Sequence, residues 1–284
     1  MKIVGKCDFQ VITEYDMSLL KKLWKNYKYR FTPWLAINLA DKAKKLEPSQ
    51  HWDQSLMKVE LLKLLSEFQT PNESMIFRDS RDRRTNFAQC HCRNQEVLLE
   101  QSGFQLEIKC SKLPNGGQGV FIKNGLVPKG KIVCLYPGLI YKPYNPILLA
   151  SIRNAYIFRC TDGSMIDGKS KGLSKTMFKS IHGRDRLYGF KPMCDISWIH
   201  VEYQYHVNPL NIGQIVNNQS SQFKANVMYE ELDIHCDSFV EVLSLLPNIN
   251  YDSLYRDLRI VPLIATRDIQ PGEELYSTYF SIIK

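Results

Sequence analysis

The chain contains no run of about 18 consecutive apolar residues, the length a membrane-crossing helix requires, so nothing in its 284 residues predicts a transmembrane segment. Its first residues, Met1 to Asp8, lack a sustained apolar stretch and meet an acid early, which argues against a secretory leader. A paired cysteine framework is missing too. The eight cysteines (7, 90, 92, 110, 134, 160, 194 and 236) are scattered, as expected of reduced thiols in an intracellular chain, nuclear or cytoplasmic. There is no repeat of fixed period, no glycine-rich phosphate loop ending in Gly-Lys-Ser/Thr, and no Ser-His-Asp order. Cys90-His91-Cys92 offers three metal ligands in a row, but tetrahedral zinc draws its four ligands from two turns, and no second pair is evident. No metal site is predicted.

Charge is not concentrated in a tail. The net charge is +8, from 37 Lys+Arg against 29 Asp+Glu. One local excess stands out between Gly168 and Lys191, where Lys169, Lys171, Lys175, Lys179, Arg184, Arg186 and Lys191 face Asp185 alone. Such a patch can steer an acidic partner or a nucleic acid; a solvated surface loop is the plainer reading. Lysines interleaved with aromatics over Lys21 to Lys28 fit phosphate contact and base stacking, but fit an amphipathic helix with snorkelling lysines better.

Hydrophobic spacing divides the chain near residue 100. Residues 1–100 read as a helical N-terminal region: Asp16 to Arg30 carries Leu19, Leu20, Leu23, Trp24 and Tyr27 on one face, and Pro33 can open a second helix. A third helix is expected over about Asp53 to Phe68, with Leu56, Val59, Leu62, Leu65 and Phe68 as its apolar stripe. A polar linker near 69–89 follows, and then a short helix from Asn94 to Gln101 that Gly103 ends. From Phe104 the texture changes to short strands between turn residues: Phe104–Ile108, Val120–Ile122, Ile132–Tyr136, Ala155–Phe158, Asn226–Tyr229 and Ile260–Ala265. Pro262 would put the last of these on an edge or at a bulge. The fold class expected is therefore α+β, a β-rich domain over 104–284 with a long insert near 168–212.

Three remote segments carry the chemistry. They are the turn Gly116-Gly117-Gln118-Gly119-Val120-Phe121, the step Gln214-Ile215-Val216-Asn217-Asn218, and the C-terminal run Gly272-Glu273-Glu274-Leu275-Tyr276-Ser277-Thr278-Tyr279. With Tyr136-Pro137-Gly138 and Ile166-Asp167-Gly168 between them, they follow the order of the SET domain of protein methyltransferases, which the region from about 104 to 280 resembles. Each piece is weak alone; five in order are specific. The departures are Gln214 in place of an arginine, Asn218 in place of a histidine, Ser220 in place of a cysteine, Thr278 in place of an acid, and a chain that stops at Lys284 without the cysteine-rich tail that many relatives carry.

The resemblance implies a β-clip fold with a threaded C-terminal segment, S-adenosyl-L-methionine as cofactor, and methyl transfer to a lysine side chain of a protein substrate. Gly117, Gln118, Gly119, Val120, Asn217, Asn218 and Tyr279 would bind the cofactor. Tyr279 would be the catalytic tyrosine, and Tyr156 would line the lysine channel, with Phe158 or Tyr276 as an apolar wall. In-line displacement at a sulfonium carbon depends on alignment and on a neutral amine, and a desolvating aromatic channel serves both. The alternative is a catalytically inactive SET-fold module that binds a protein partner.

Overall fold

A computed structural model describes residues 52–71, 80–187, 194–235, 240–251 and 257–278, without the side chains of Ser80 and residues 184–187. These residues fall in one of the two units into which the chain divides, Trp52–Ser281; the other unit, Met1–His51 with Ile282–Lys284, lies outside them. The helices expected before residue 50, the block Lys21 to Lys28 and Tyr279 are likewise outside the described residues.

Helix α1 spans Gln54–Ser66, and the Asp53 carboxylate caps it by accepting from the backbone N–H groups of Ser55 and Leu56 at 2.9 and 3.2 Å. Its buried face is Met57, Leu61 and Leu65, continued by Phe68. The stripe read from the sequence is displaced: Leu56 and Val59 are 56% and 61% exposed. An i, i+4, i+8 row beginning at Met57 competes with the i, i+3 row beginning at Leu56, and packing selected the former.

Helix α2, Ser80–Ser102, is far longer than the helix expected at 94–101, and it absorbs residues 80–89 that the sequence places in a linker. Phe87, Cys90, His91, Asn94, Val97 and Leu98 line its buried face at helical spacing. Two of these six are polar, which hid the pattern. His91 and Asn94 are buried because they have partners: His91 Nδ1 lies 2.7 Å from the His206 carbonyl, and Asn94 Nδ2 donates to the Val207 carbonyl at 2.8 Å. Gly103 ends the helix at φ +83°, its N–H donating to the Leu99 carbonyl.

Thirteen short strands follow among the described residues. β1 (Phe104–Cys110) and β2 (Gln118–Gly125) form a hairpin. β3 (Ile132–Leu135) and β8 (Val227–Tyr229) flank β12 (Pro262–Ala265) in an antiparallel sheet. β4 (Gly138–Tyr141), β5 (Ile157–Arg159), β6 (Met165–Asp167) and β10 (Asn248–Asn250) make a four-stranded sheet in the order β10-β4-β6-β5. β9 (Leu232–Ile234) pairs with β11 (Leu258–Ile260), and β7 (Asn217–Asn218) pairs in parallel with β13 (Tyr276–Ser277).

The segment Ile260–Ala265 is two strands, not one. β12 is the centre of its sheet, so Pro262 is not on an edge. It is the first residue of the strand, where a missing N–H costs least, and the register slips just after it between Leu263 and Ile264. The fold is the α+β arrangement expected.

Two cores hold it. The larger joins α1, α2 and most strands. The smaller surrounds Trp198, whose ring meets Phe178 edge-on at 5.0 Å, with Leu139, Tyr141 and Ile249. Phe178 belongs to helix α4 (Gly172–Leu187), so the insert near 168–212 is largely structured and helps to build this second core. The short helix α3, Leu148–Ser151, lies between β4 and β5.

Candidate active site

The site begins with a length of chain that cannot bond to itself. Residues Gly272 to Ser277 contain only two strand residues, yet almost every backbone group there has a partner. The N–H of Gly272 donates to the Ile122 carbonyl at 2.7 Å, the N–H of Leu275 donates to the Val120 carbonyl at 2.8 Å, and Glu274 bridges Phe121. Beyond it, Tyr276 and Ser277 pair with Asn217 and Asn218, and the Gln219 N–H donates to the Ser277 carbonyl. The C-terminal segment is thus held between β2 on one side and the Asn217 loop on the other.

Asn226 closes this arrangement. Its amide side chain acts as an extra peptide: Nδ2 donates to the Glu274 carbonyl at 2.9 Å, and Oδ1 accepts from the Tyr276 N–H at 2.8 Å. Its own N–H donates to the Tyr276 carbonyl at 2.9 Å. Asparagine fits because it carries one donor and one acceptor at peptide spacing.

At the centre sits Glu274, 2% exposed. Its carboxylate accepts from Ser111 Oγ at 2.6 Å, the Lys112 N–H at 2.7 Å, Tyr276 Oη at 2.6 Å and Asn217 Nδ2 at 3.2 Å. Such a shell of donors satisfies the polar atoms of the carboxylate that burial takes out of water. Burial, reinforced by this neighbour, raises the Tyr276 phenol well above the ordinary tyrosine value, so it stays a donor. The Tyr276 ring stacks on Phe223 with centroids 5.2 Å apart.

Tyr276 therefore faces the glycine turn through Glu274. Glu274 and Asn226 are not among the site residues the sequence predicts. The available signal was alternation along the strand, which sends Glu274 and Tyr276 to one side, Leu275 and Ser277 to the other.

The glycines divide by cause. Gly117 has φ +65° and open space where a Cβ would stand, so backbone conformation demands it and its surface stays accessible. Gly119 is buried, and a Cβ there would stand 2.8 Å from Cδ of Glu274 and closer still to its Oε1. Packing against the carboxylate explains Gly119 without any ligand. Gln118 is exposed, and its carbonyl accepts from Asn217 Nδ2 at 2.9 Å, so the turn and the asparagine step touch directly. Val120 is buried and reaches the same centre through its carbonyl on Leu275.

Beside the crossing lies an aromatic trio. The Phe158 ring is 5.3 Å from that of Tyr136 and 4.9 Å from that of Tyr229, and Ser277 Oγ lies 3.1 Å from Tyr229 Oη. Tyr156 joins through its backbone: its carbonyl accepts from Tyr136 Oη at 2.9 Å and from the Gly168 N–H at 2.8 Å, while its side chain is 38% exposed. Thr278 is exposed at the end of the described segment. Gln214 is buried next to Gly168, a neutral amide where the resemblance expects a cation.

Elsewhere, Cys160, Asp162 and Glu231 bring possible metal-ligating atoms within 4.8 Å of one another. The Arg259 guanidinium already lies among them, bonded to Glu231, to Asp233 at 2.6 Å and to Asp162 at 3.5 Å. A resident cation makes this an ion-pair network. Cys90, His91 and Cys92 follow one another along α2, where successive side chains turn away; Cys90 and His91 are buried, Cys92 exposed.

No protein-family model matches the chain. It is 38% identical over 290 residues to SET domain-containing protein 9 of Homo sapiens, covering 92% of this chain and 96% of that protein. It is 46% identical over 190 residues to SET domain-containing protein 9 of Pongo abelii, covering 66% and 68%. Among solved structures, it aligns with KRYPTONITE in complex with mCHH DNA, an H3(1-15) peptide and SAH at a TM-score of 0.34 and 18% identity, over 63% of this chain and 24% of that one. A ctPRC2 structure bound to S-adenosylmethionine aligns at a TM-score of 0.35 and 14% identity, over 66% and 16%.

Proposed function

The chain belongs to the SET domain-containing protein 9 family, and on that premise we propose that it is a protein-lysine methyltransferase using S-adenosyl-L-methionine. The observation that carries the reading is the crossing itself. Three segments more than 50 residues apart in sequence meet through the bonds of Asn217 to Gln118 and to Glu274, and leave exposed backbone at Gly117 and Gln118 beside a cluster of aromatic rings.

The residues fit the cofactor by chemistry. Gly117 and Gln118 offer approachable backbone, Asn217 and Asn218 offer amide and carbonyl groups, and no side chain at 117 obstructs them. Gly119 and Val120 act behind these, holding the turn against Glu274 and Leu275. When bound, the cofactor supplies an electrophilic methyl group. The chain's own part is to orient the lysine amine and to strip water from it, which favours the neutral nucleophile. Tyr279 is assigned the orienting hydroxyl, and Tyr156 the channel mouth. The exposed side chains of Leu148, Leu149 and Ile152, a few residues before Tyr156, supply an apolar surface for residues flanking the target lysine.

The test is calorimetric titration of the full chain with S-adenosyl-L-methionine, together with Asn217→Ala, followed by transfer of labelled methyl to a protein library with Tyr279→Phe as control. Binding lost in Asn217→Ala and transfer lost in Tyr279→Phe are expected. Folded, cofactor-binding protein that labels nothing would favour the second reading, an interaction module, to which the neutral Gln214 and Thr278 point.

A further inference from the structure

Basic residues from two elements nearly a hundred positions apart meet on one surface. On α2, Phe87 is buried with its ring 5.8 Å from that of His200. Arg83 and Arg84 stand one turn before it. On α4, Lys175 Nζ donates to the Ile199 carbonyl at 3.2 Å, and Lys179 follows one turn later, ~6 Å along the axis. Both helices therefore abut the same 3-10 turn, Ser197–Ile199 with His200, and bring their cations around it. The convergence registers electrostatically: burial first, then Lys175, Arg83, Arg84 and Lys179, depress His200 to about 4. Lys179 is itself lowered by burial and then by Lys175 and Arg83.

Among the described residues none of these four cations is in an ion pair. On these elements and their flanks the sequence places Asp82, Asp185, Asp195 and Glu202 against six cations when Arg81 and Lys171 are included. Asp195 is buried and taken up by the Ser197 N–H at 2.7 Å and Asn211 Nδ2 at 2.8 Å, while Asp82 and Glu202 are exposed. Clustered like charges destabilise the free protein, so an anion bound there relieves repulsion as well as forming contacts.

We propose that this surface, Arg83 and Arg84 of α2 with Lys175 and Lys179 of α4, binds the phosphate backbone of a nucleic acid. The geometry favours that occupant over an acidic peptide. Both contributing elements are helices with internally bonded backbone, so the surface offers no strand edge for a peptide to extend. What it offers is side-chain cations, two of them one helical turn apart, which is the means by which a phosphodiester chain is held without reading its sequence. The four residues are distinct from those of the candidate active site, and the proposal does not depend on methyl transfer.

The experiment is fluorescence anisotropy of the full chain with three labelled probes: a 20-base-pair duplex DNA, a single strand of the same sequence, and a polyglutamate peptide of equal charge. Each is titrated between 50 and 200 mM salt. Removing four phosphate contacts should flatten the slope of log affinity against log salt by up to about 3.6 for duplex and about 2.8 for the single strand. The variant is Arg83→Gln/Arg84→Gln/Lys175→Gln/Lys179→Gln. A matched control removes four lysines elsewhere: Lys58→Gln/Lys63→Gln/Lys109→Gln/Lys129→Gln.

Support is binding of either nucleic acid that falls at least tenfold, with a flatter slope, in the patch variant and not in the control. A cooperative melt at or above the wild-type temperature certifies that the variant is folded. The proposal is overturned by equal losses in both variants, by an unchanged slope in a folded patch variant, by tighter binding to polyglutamate than to either nucleic acid, or by no binding to any probe. Duplex against single strand then identifies which form is preferred.

Discussion

Substitution of Gly119 by alanine separates two explanations of the glycine turn. If the glycine exists to let a ligand approach, Gly119→Ala folds normally and loses ligand affinity. The structure assigns it to packing: the added methyl would collide with a carboxylate that cannot move freely, because Glu274 accepts from four donors. Swinging the carboxylate away forfeits hydrogen bonds to a charged group, about 1.5–3 kcal/mol each. Shifting β2 instead costs the ~1–3 kcal/mol typical of overpacking. The cheaper route wins, so Gly119→Ala should destabilise by about 1–3 kcal/mol, lowering the melting temperature by ~2–10 °C for a chain of this size.

The assay is urea unfolding followed by tryptophan fluorescence, with Glu274→Ala and the double variant completing a cycle. Glu274→Ala alone is the more damaging change, since it orphans buried donors. In its background the extra methyl has space, so the double variant should be less unstable than the sum of the singles by about 2 kcal/mol. Additive singles, or a Gly119→Ala protein as stable as wild type, would refute the packing account. Gly117→Ala is the internal comparison: it meets no neighbour and pays only for its positive φ, ~1–2 kcal/mol.

Three further outcomes follow from the same geometry. Asn226→Ala removes the side chain that satisfies both the Tyr276 N–H and the Glu274 carbonyl, and should cost about 2–4 kcal/mol in urea unfolding; Asn226→Asp, which keeps only the acceptor, should fall between. His206 is buried with Nε2 2.9 Å from the His200 carbonyl, and burial depresses it from 6.5 to about 4. The folded state thus binds this proton less tightly than the unfolded one. Its contribution is intact above pH 6.5 and is lost as pH falls toward 4, ~3 kcal/mol in all. Asp167, Asp195 and Glu231, raised by burial, oppose this at the acid end, so the test is the difference between wild type and His206→Gln, whose stability should depend less steeply on pH between 6.5 and 4. Leu61→Ala, at a site 2% exposed in the larger core, should cost ~2–5 kcal/mol, whereas Val59→Ala, 61% exposed on the same helix, should shift the unfolding midpoint very little.

The family order of the motifs and the change of texture near residue 104 are properties of sequence alone, because turn glycines and period-two alternation are local. So were helix α1 and the glycine that ends α2. The segments that make the crossing are legible in the sequence too, since Gln118, Asn217 and the Glu274–Tyr276 run lie within the motifs that follow the family order. What it could not determine was which neighbour each residue would find. The length of α2 depended on His91 and Asn94 obtaining buried partners more than 100 residues away, information absent from helical periodicity. Pro262 entered a central strand because the sheet places it at the strand's first position. Gly119 and Glu274 explain each other only once β2 and the C-terminal segment lie side by side, and Arg83 and Lys175 both act on His200 only because two helices abut one turn. Local propensity is encoded residue by residue, whereas burial and electrostatic neighbourhood are properties of pairs, and only the folded chain creates those pairs.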